Sequence, residues 1–324
     1  MISHQIDIET WDLKVPFVIS RRRCETTDVM VLTLGQGGFV GRGEAAGINY
    51  KGETAETMAA ELEDFFDFYR EPLTRDLLME MLPPGGARNA LDCAFWDLAA
   101  KRTGRSVFDL TGFEATPVQT AFTLSLDTPG NMAKAAAENS LPVLKLKLAG
   151  DQAIECVAAV HQVRPDARII VDANEALTFD QFQVVAPKLA DLNVHLIEQP
   201  LPRDNDEALK DYKSPVPLCA DESCMTAGDV SRLAPLYDMV NIKLDKCGGL
   251  TAAIDLLAAA EEAKLKTMVG CMLGTSLSMA PAMVIAPRCE FVDLDGPLLL
   301  ADDRTDGLDI KDGMISPPSA ALWG

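Results

Sequence analysis

Six residues of this chain carry side chains able to do acid–base work around a cation: Lys145, Lys147, Asp172, Glu198, Asp221 and Lys243, with successive intervals of 25, 26, 23 and 22 residues after the lysine pair. Three carboxylates with no histidine or cysteine among them are hard oxygen donors, the set that Mg²⁺ takes and that Mn²⁺ tolerates. Asp172, Glu198 and Asp221 are therefore the expected metal ligands, and the ion would act as an electron sink when a proton leaves the carbon beside a bound carboxylate. A lysine of ordinary pKa, about 10.4, is a poor base at neutral pH. A second ammonium at Lys145 and a nearby divalent ion both push the expected value for Lys147 downward. Lys147 and Lys243 on opposite faces of a carbon acid could remove a proton from one side and return it from the other, which inverts the centre. Racemisation or epimerisation is the chemistry that arrangement predicts.

Such residues need elements that place them on one rim. Each charge closes a short apolar run that reads as a buried parallel strand: Val143–Leu148, Ile169–Val171, Val194–Ile197, Pro217–Ala220 and Met239–Ile242. An interval of 22 to 26 residues is one strand plus one helix, and strands alternating with helices predict a (β/α) barrel whose chemistry is built at the strand carboxyl ends. Predicted strands fall near 118–125, 142–148, 167–173, 194–198, 217–220, 238–243, 266–270 and 290–295. Side chains two apart share a face of a strand, so Lys145 and Lys147 point into the barrel together. The same spacing recurs in Asp172/Asn174, Lys243/Asp245 and Asp293/Asp295. Asn174, Glu222 and Asp245 are expected to contact the ligand residues rather than the ion. Lys246 falls on the opposite parity from Lys243 and reads as a surface charge or an outer support.

The expected fold class is α/β, a modified TIM-type (β/α)7β barrel with an N-terminal α+β capping domain. Residues 1–112 carry strand patterns near Gln5–Leu13, Thr27–Leu34 and Phe39–Glu44, with a glycine-bearing hairpin between the last two, then helical patterns at Thr54–Tyr69, Leu73–Leu82 and Ala87–Arg102. The barrel is expected over 113–296, and 297–324 packs back on the capping domain. A formal net charge of −20 with pI ≈ 4.5 argues against a nucleic-acid or anionic-membrane partner, which would need a basic face. The first residues lack an export pattern, and the eight cysteines form no CxxC pair, so reduced thiols and a cytoplasmic location are expected. No base lies beside Cys224, Cys247 or Cys271 in sequence, and none is assigned a nucleophilic role.

The motifs Leu144-Lys-Leu-Lys147, Val171-Asp-Ala-Asn174, Glu198-Gln-Pro200, Ala220-Asp-Glu-Ser223 and Asn241-Ile-Lys-Leu-Asp-Lys-Cys-Gly-Gly249 resemble the enolase superfamily in its muconate-lactonising-enzyme-like branch, over nearly the whole chain. Within it the chain is most similar to the dipeptide epimerases, through Gly270-Cys-Met272 and Asp293-Leu-Asp295. The resemblance implies Mg²⁺-dependent epimerisation at the Cα of the C-terminal residue of a dipeptide, L-Ala-D/L-Glu above all, as in murein peptide recycling. It implies that Asp293 and Asp295 hold the free α-ammonium, that Lys145, Cys271, Met272 and Thr123 face the substrate, and that an arginine of a closing loop meets a glutamate side chain. Arg21, Arg22 and Arg23 all qualify. Glu44 and Tyr50 are further candidates for the cavity wall, and homo-oligomers are the family expectation. Other readings are an o-succinylbenzoate synthase or muconate cycloisomerase of the same branch, a lysine Schiff-base barrel enzyme, and a non-catalytic peptide- or metal-binding barrel.

Overall fold

The computed structural model describes residues 2–19, 22–69, 73–148, 150 and 152–324. Three antiparallel strands, β1 (Ser3–Ile19), β2 (Arg22–Gln36) and β3 (Phe39–Ala45), form a meander with order β1-β2-β3. The turn between β2 and β3 uses Gly37 and Gly38 at φ of 61° and 85°, which a residue with a Cβ enters only with strain. Helices α1 (Ala55–Phe68), α2 (Arg75–Met81) and α3 (Gly86–Thr103) cover one face of the sheet. α1 begins where Thr54 and Thr57 cap each other reciprocally. Gly41 and Gly43 let β3 lie directly on α3, since a Cβ at Gly43 would fall 2.0 Å from the Ala90 carbonyl oxygen. Met30, Leu32 and Leu34 of β2 pack with Met58, Leu62, Leu91 and Phe95 into a core of their own.

After α4 (Val107–Thr111) and the short strand β4 (Val118–Gln119) the chain winds into a barrel. Its elements are β5 (Phe122–Leu124), α5 (Pro129–Ala137), β6 (Val143–Lys147), α6 (Ala153–Val163), β7 (Arg168–Asp172), α7 (Phe179–Asp191), β8 (Val194–Glu198), β9 (Leu218–Ala220), α8 (Val230–Leu233), β10 (Met239–Lys243), α9 (Leu244–Cys247), α10 (Leu250–Glu262), β11 (Lys266–Gly270), α11 (Ser276–Met279) and β12 (Phe291–Asp293). The parallel strands run in the order β12-β11-β10-β9-β8-β7-β6-β5. A parallel bridge between Thr120 and Val292, with Ala121 N donating to the Val292 carbonyl at 2.8 Å, closes the ring. The expected strand over 118–125 is therefore two pieces. Its first piece, β4, pairs antiparallel with β14 (Met314–Ile315), which itself pairs with β13 (Ile310–Lys311).

The barrel interior has an apolar floor to which every wall position contributes one side chain: Ala121, Val143, Ile170, Leu196, Cys219, Met239, Met268 and Phe291. Two residues further along each strand, on the same face, stand Thr123, Lys145, Asp172, Glu198, Asp221, Asn241, Gly270 and Asp293. The outward residues between them, such as Leu144, Val171, Ile197 and Val240, are fully buried under the helices, each removal from water stabilising by about 1.5–3 kcal/mol.

The 297–324 stretch does more than lie on the capping domain. Past the single turn α12 (Gly296–Leu299) it runs beside β1, adds β13 and β14 to β4, and ends on α3, where Trp323, wholly buried, donates through Nε1 to the Cys93 carbonyl. The capping unit is also fastened to the short helix after Lys243. Asp245 accepts from Ala46 N and Gly47 N, and the Arg88 guanidinium donates to the Cys247 and Gly248 carbonyls at the other end. Asp92 of α3 accepts from Thr251 N and Oγ of α10 at 2.8 and 2.6 Å.

Burial pushes the Asp92 carboxyl from 3.8 up to about 6, against the pull of its Thr251 bonds. The cost of ionising it in the fold is absent below pH 4 and complete above pH 6. Asp92→Asn keeps an acceptor for Thr251 N and removes that cost, so its stability relative to wild type rises between pH 4 and 6 and levels at about 1–3 kcal/mol by pH 8. Urea midpoints across this range check it, and a variant that gains nothing over the interval contradicts it.

Candidate active site

β6 and β10 stand four strands apart in a ring of eight, half a turn, so Lys147 and Lys243 enter the upper mouth from opposite walls. Both line a cavity of about 360 Å³ roofed by the end of the β1–β2 hairpin. Lys147 Nζ lies 2.7 Å from Asp172 Oδ2, and Lys243 Nζ 2.7 Å from Asp221 Oδ2. Each of these carboxylates also receives a more deeply buried lysine. Lys145 Nζ sits 2.7 Å from Glu198 Oε2, 2.7 Å from Asp293 Oδ2 and 3.3 Å from Asp172 Oδ2. Lys246 Nζ donates to Asp221 Oδ1 at 2.7 Å, the Asp221 carbonyl at 2.6 Å and the Asn241 carbonyl at 3.0 Å.

Of the two readings of Lys246, that placement removes the surface one, since the residue is 1% exposed, and keeps the outer support, since it holds Asp221. The strand ends at Lys243 and the chain turns into α9, so the alternation that sent Lys246 outward does not apply. Asp245 is turned the same way, into the capping unit, and contacts none of the acids of the mouth. Glu44 does not line the cavity either; it pairs with Arg304 and Thr275 behind it.

Burial and charge pull against each other at every acid. Burial raises Asp172, but the Lys147 and Lys145 ammonium groups outweigh it and hold the carboxyl at about 2. Asp221 is held lower still, with Lys243 and Lys246 overriding burial. Glu198 is raised, by burial and by Asp172. Burial opposes charge on Lys145 and Lys243, yet the surrounding carboxylates carry both well above their ordinary values. Glu222 is pushed up to about 8 by burial and by Asp221 and Asp172, and Asn174 Nδ2 donates to its Oε1 at 3.3 Å. The Cys271 thiol is raised well above its ordinary range by burial, and Cys224 and Cys247 to about 12, values unsuited to a nucleophile.

Among the described residues no three acidic, histidine or cysteine side chains converge tightly enough to enclose an ion as they stand. The lysines are the reason: ammonium groups occupy the oxygens of all three expected ligands. The donor set nevertheless suits a hard cation. Asp172, Glu198 and Asp221 come from three adjacent strands, all are hard oxygens, and Lys145 Nζ already bridges two of them as a positive charge would.

Two residues quoted only as parts of motifs hold this arrangement. Asn241, two positions before Lys243 on the inward face, donates through Nδ2 to Glu198 Oε1 at 2.7 Å. Gln199 lies in the left-handed region at φ 36°, and its Oε1 accepts from Asp221 N and Ser223 N while its Nε2 donates to the Leu201 carbonyl. The inward parity of Asn241 was a readable signal; the folding back of Gln199 under Asp221 was not. Gly270 has no room for a side chain, since a Cβ would stand 2.8 Å from Asn241 Oδ1 and 3.1 Å from Lys243 Cε.

Asp295 Oδ2 accepts from Thr123 N at 2.6 Å, and burial with the Asp293 charge pushes its carboxyl up to about 7. Cys271, Met272, Thr123, Asn174, Glu222 and Tyr50 reach the cavity wall. The arginine stretch is the end of the β1–β2 hairpin, Phe17 to Ile19 pairing with Cys24 to Arg22. Arg22 lines the cavity, Arg23 faces Glu25 in the solvent at 3.5 Å, and Arg21 lies outside the described residues. Val18 ties the hairpin to the barrel by accepting from Leu126 N and donating to Ser125 Oγ.

Fold and site together define a capped barrel with opposed lysines and acids gathered at its upper mouth. Residues 1–112 match the mandelate racemase / muconate lactonizing enzyme N-terminal domain, and 130–321 match the enolase C-terminal domain-like family. The chain belongs to the mandelate racemase / muconate lactonizing enzyme branch of the enolase superfamily. It is 41% identical to an L-Ala-D/L-Glu epimerase from Escherichia coli K12, over 95% of this chain and 97% of that one. It is 42% identical to an N-acetyl-D-glutamate racemase from Pseudoalteromonas, over 91% and 95%. Among solved structures, an enolase family member from Agrobacterium tumefaciens with homology to dipeptide epimerases, holding sodium and L-Ala-L-Glu with an ordered loop, superposes at TM-score 0.97 with 42% identity over the whole of both chains. A dipeptide epimerase from Methylococcus capsulatus, complexed with Mg and L-Arg-D-Lys, gives 0.91 at 29% identity over 99% of each.

Lys246→Met removes an ammonium from three oxygens that water does not reach and leaves Asp221 with Lys243 alone. Breaking a buried ion pair of this kind is expected to cost about 3 kcal/mol, read as a lower urea midpoint at pH 7. A loss well under 1 kcal/mol would return Lys246 to a passive role.

Proposed function

We propose that the protein is an isomerase that epimerises a dipeptide at the Cα of its C-terminal residue by two-base proton transfer, with L-Ala-D/L-Glu the substrate pair. The observation that carries this reading is the half-turn separation of Lys147 and Lys243 across one cavity. One amine takes the proton from one face of the carbon and the other returns it from the far face, inverting the centre. Asp172, Glu198 and Asp221 would hold Mg²⁺, which supplies positive charge against the negative charge that develops on the substrate carboxylate. Lys145 then stays on Asp293, and Asn241 and Gln199 keep Glu198 and Asp221 aimed at the mouth.

Asp293 and Asp295 are assigned to the α-ammonium of the first residue, and Arg22, the described arginine on the cavity wall, to the side-chain carboxylate of the second. A small dipeptide is the partner this site fits; a cytoplasmic place in peptide recycling accords with eight free cysteines. No helix among the described residues is long and apolar enough to cross a membrane.

A second reading is racemisation of an N-acylated glutamate. Both inner carboxylates already have protein partners, Lys145 on Asp293 and Thr123 N on Asp295, and an uncharged amide would leave them undisturbed.

Incubation in D₂O with L-Ala-L-Glu, other dipeptides and N-acetyl-glutamate separates these readings. Deuterium at the C-terminal Cα, with loss of the signal on chelation and return with Mg²⁺ or Mn²⁺, is expected; no exchange with any member of the panel would defeat both. Lys147→Ala and Lys243→Ala are each expected to lower interconversion by about 10²–10⁴-fold. Full turnover in either variant removes the two-base account. Arg22→Met is expected to raise KM for glutamate-ended dipeptides about tenfold and to leave dipeptides ending in an apolar residue unaffected.

A further inference from the structure

The loop after β11 supplies Cys271, Met272 and Leu273 to the cavity wall. It stands beside the carboxylates assigned to the substrate amine, because β11 pairs with β12 and Gly270 lies opposite Asp293. It is held from behind. Thr27 Oγ donates to the Leu273 carbonyl at 3.1 Å, Thr275 N donates to Glu44 Oε1 at 2.8 Å, and Ser276 N donates to Asp303 Oδ1 at 3.0 Å. Gly274 rests on the same carboxylate, with room for a Cβ only at 3.1 Å from Glu44 Oε1.

Glu44 is 1% exposed, and a lone carboxylate there would be costly. Its counter-charge comes from the far end of the chain. Arg304 donates through Nη2 to Glu44 Oε2 at 2.7 Å and to Glu9 Oε2 at 2.8 Å, and through Nε to Thr275 Oγ at 2.7 Å. The guanidinium also lies 5.4 Å from the Trp11 ring centre. The segment leading to it is sewn along β1: Lys14 Nζ donates to the Leu298 carbonyl, Leu13 bridges Leu300, and Ala301 N donates to the Asp12 carbonyl. One side chain thus joins the strand that carries the hairpin, the buried acid of β3 and the loop that forms the wall.

We propose that Arg304, which does not reach the cavity, is a positioning residue that fixes the 271–274 wall against the capping strands and so sets discrimination at the first residue of the substrate. The planar fork is needed, because three acceptors on three elements are met by nitrogens in one plane; a lysine offers a single point. The substrate clause rests on the dipeptide reading above, whereas the positioning clause does not.

The test compares Arg304→Met, Arg304→Lys and Glu9→Gln with wild type by amide hydrogen exchange and by Cα deuteration kinetics on L-Ala-L-Glu and L-Leu-L-Glu. Faster exchange confined to residues 271–276 is expected in Arg304→Met. KM for L-Ala-L-Glu is expected to rise about tenfold with kcat within about twofold, and the preference between the two dipeptides to shrink. Arg304→Lys recovers part of each change, and Glu9→Gln, which loses only the half-exposed arm, moves the same way by less. If Arg304→Met does not fold, the other two carry the comparison. Folded variants with unchanged exchange at 271–276, or with a uniform fall in kcat and an unaltered preference, overturn the proposal. A wild type that deuterates no dipeptide defeats the function proposed above, and hydrogen exchange still decides the positioning.

Discussion

Everything at the upper mouth depends on a balance between ammonium and carboxylate groups kept from water. Lys145, Lys243, Lys246, Asp172, Glu198 and Asp221 are all at least nine-tenths buried, and each ion alone would cost several kcal/mol to bring inside. They are tolerated because every one lies against an opposite charge or a carbonyl. The apolar floor below them makes the balance strict, since no water can enter from that side to share the load. A cation or amine entering such a site takes the place of an ammonium partner rather than meeting an unpaired carboxylate.

The balance is built by strand geometry. A pleated strand turns alternate residues inward, and eight strands in a ring aim those residues at one axis. The same rule that sends Leu144 and Leu146 under the helices sends Lys145 and Lys147 to the centre. Parity places charge without any tertiary contact having to select it, which is why barrel strands with a charged end read so plainly in a sequence.

That explains what was legible here and what was not. The floor, the second tier and the lysine pair follow from a period of two and a repeat of one strand and one helix. Sequence parity does not place Asp245 or Glu44, and it leaves Lys246 open between the surface and a support for Asp221, for a shared reason: each lies where a strand has just ended or where two units meet, and parity carries no information beyond a strand's last hydrogen bond. The split of 118–125 into β4 and β5 is of the same kind, since partnership with residues near 315 outweighs local propensity. Arg304 had no sequence signal at all, because its partners Glu9, Glu44 and Thr275 are 295, 260 and 29 residues away.

The capping unit is fastened to the barrel at α9 from both ends and behind the wall through Glu44, with buried partners, and at α10 through Asp92, whose partner Thr251 is part-buried. Lifting it away whole would strip those groups of hydrogen bonds together and would drag the helix that begins at Lys243. The hairpin end, by contrast, meets the barrel through Val18, bonded to Leu126 N and Ser125 Oγ, and through the Pro16 carbonyl, which accepts from Ser125 Oγ, and it lies past the irregularity in pairing between Asp12 and Phe17. The described part of the roof thus leans on one short stretch of the barrel, 125–126, whereas the body of the capping unit is anchored on three separate elements.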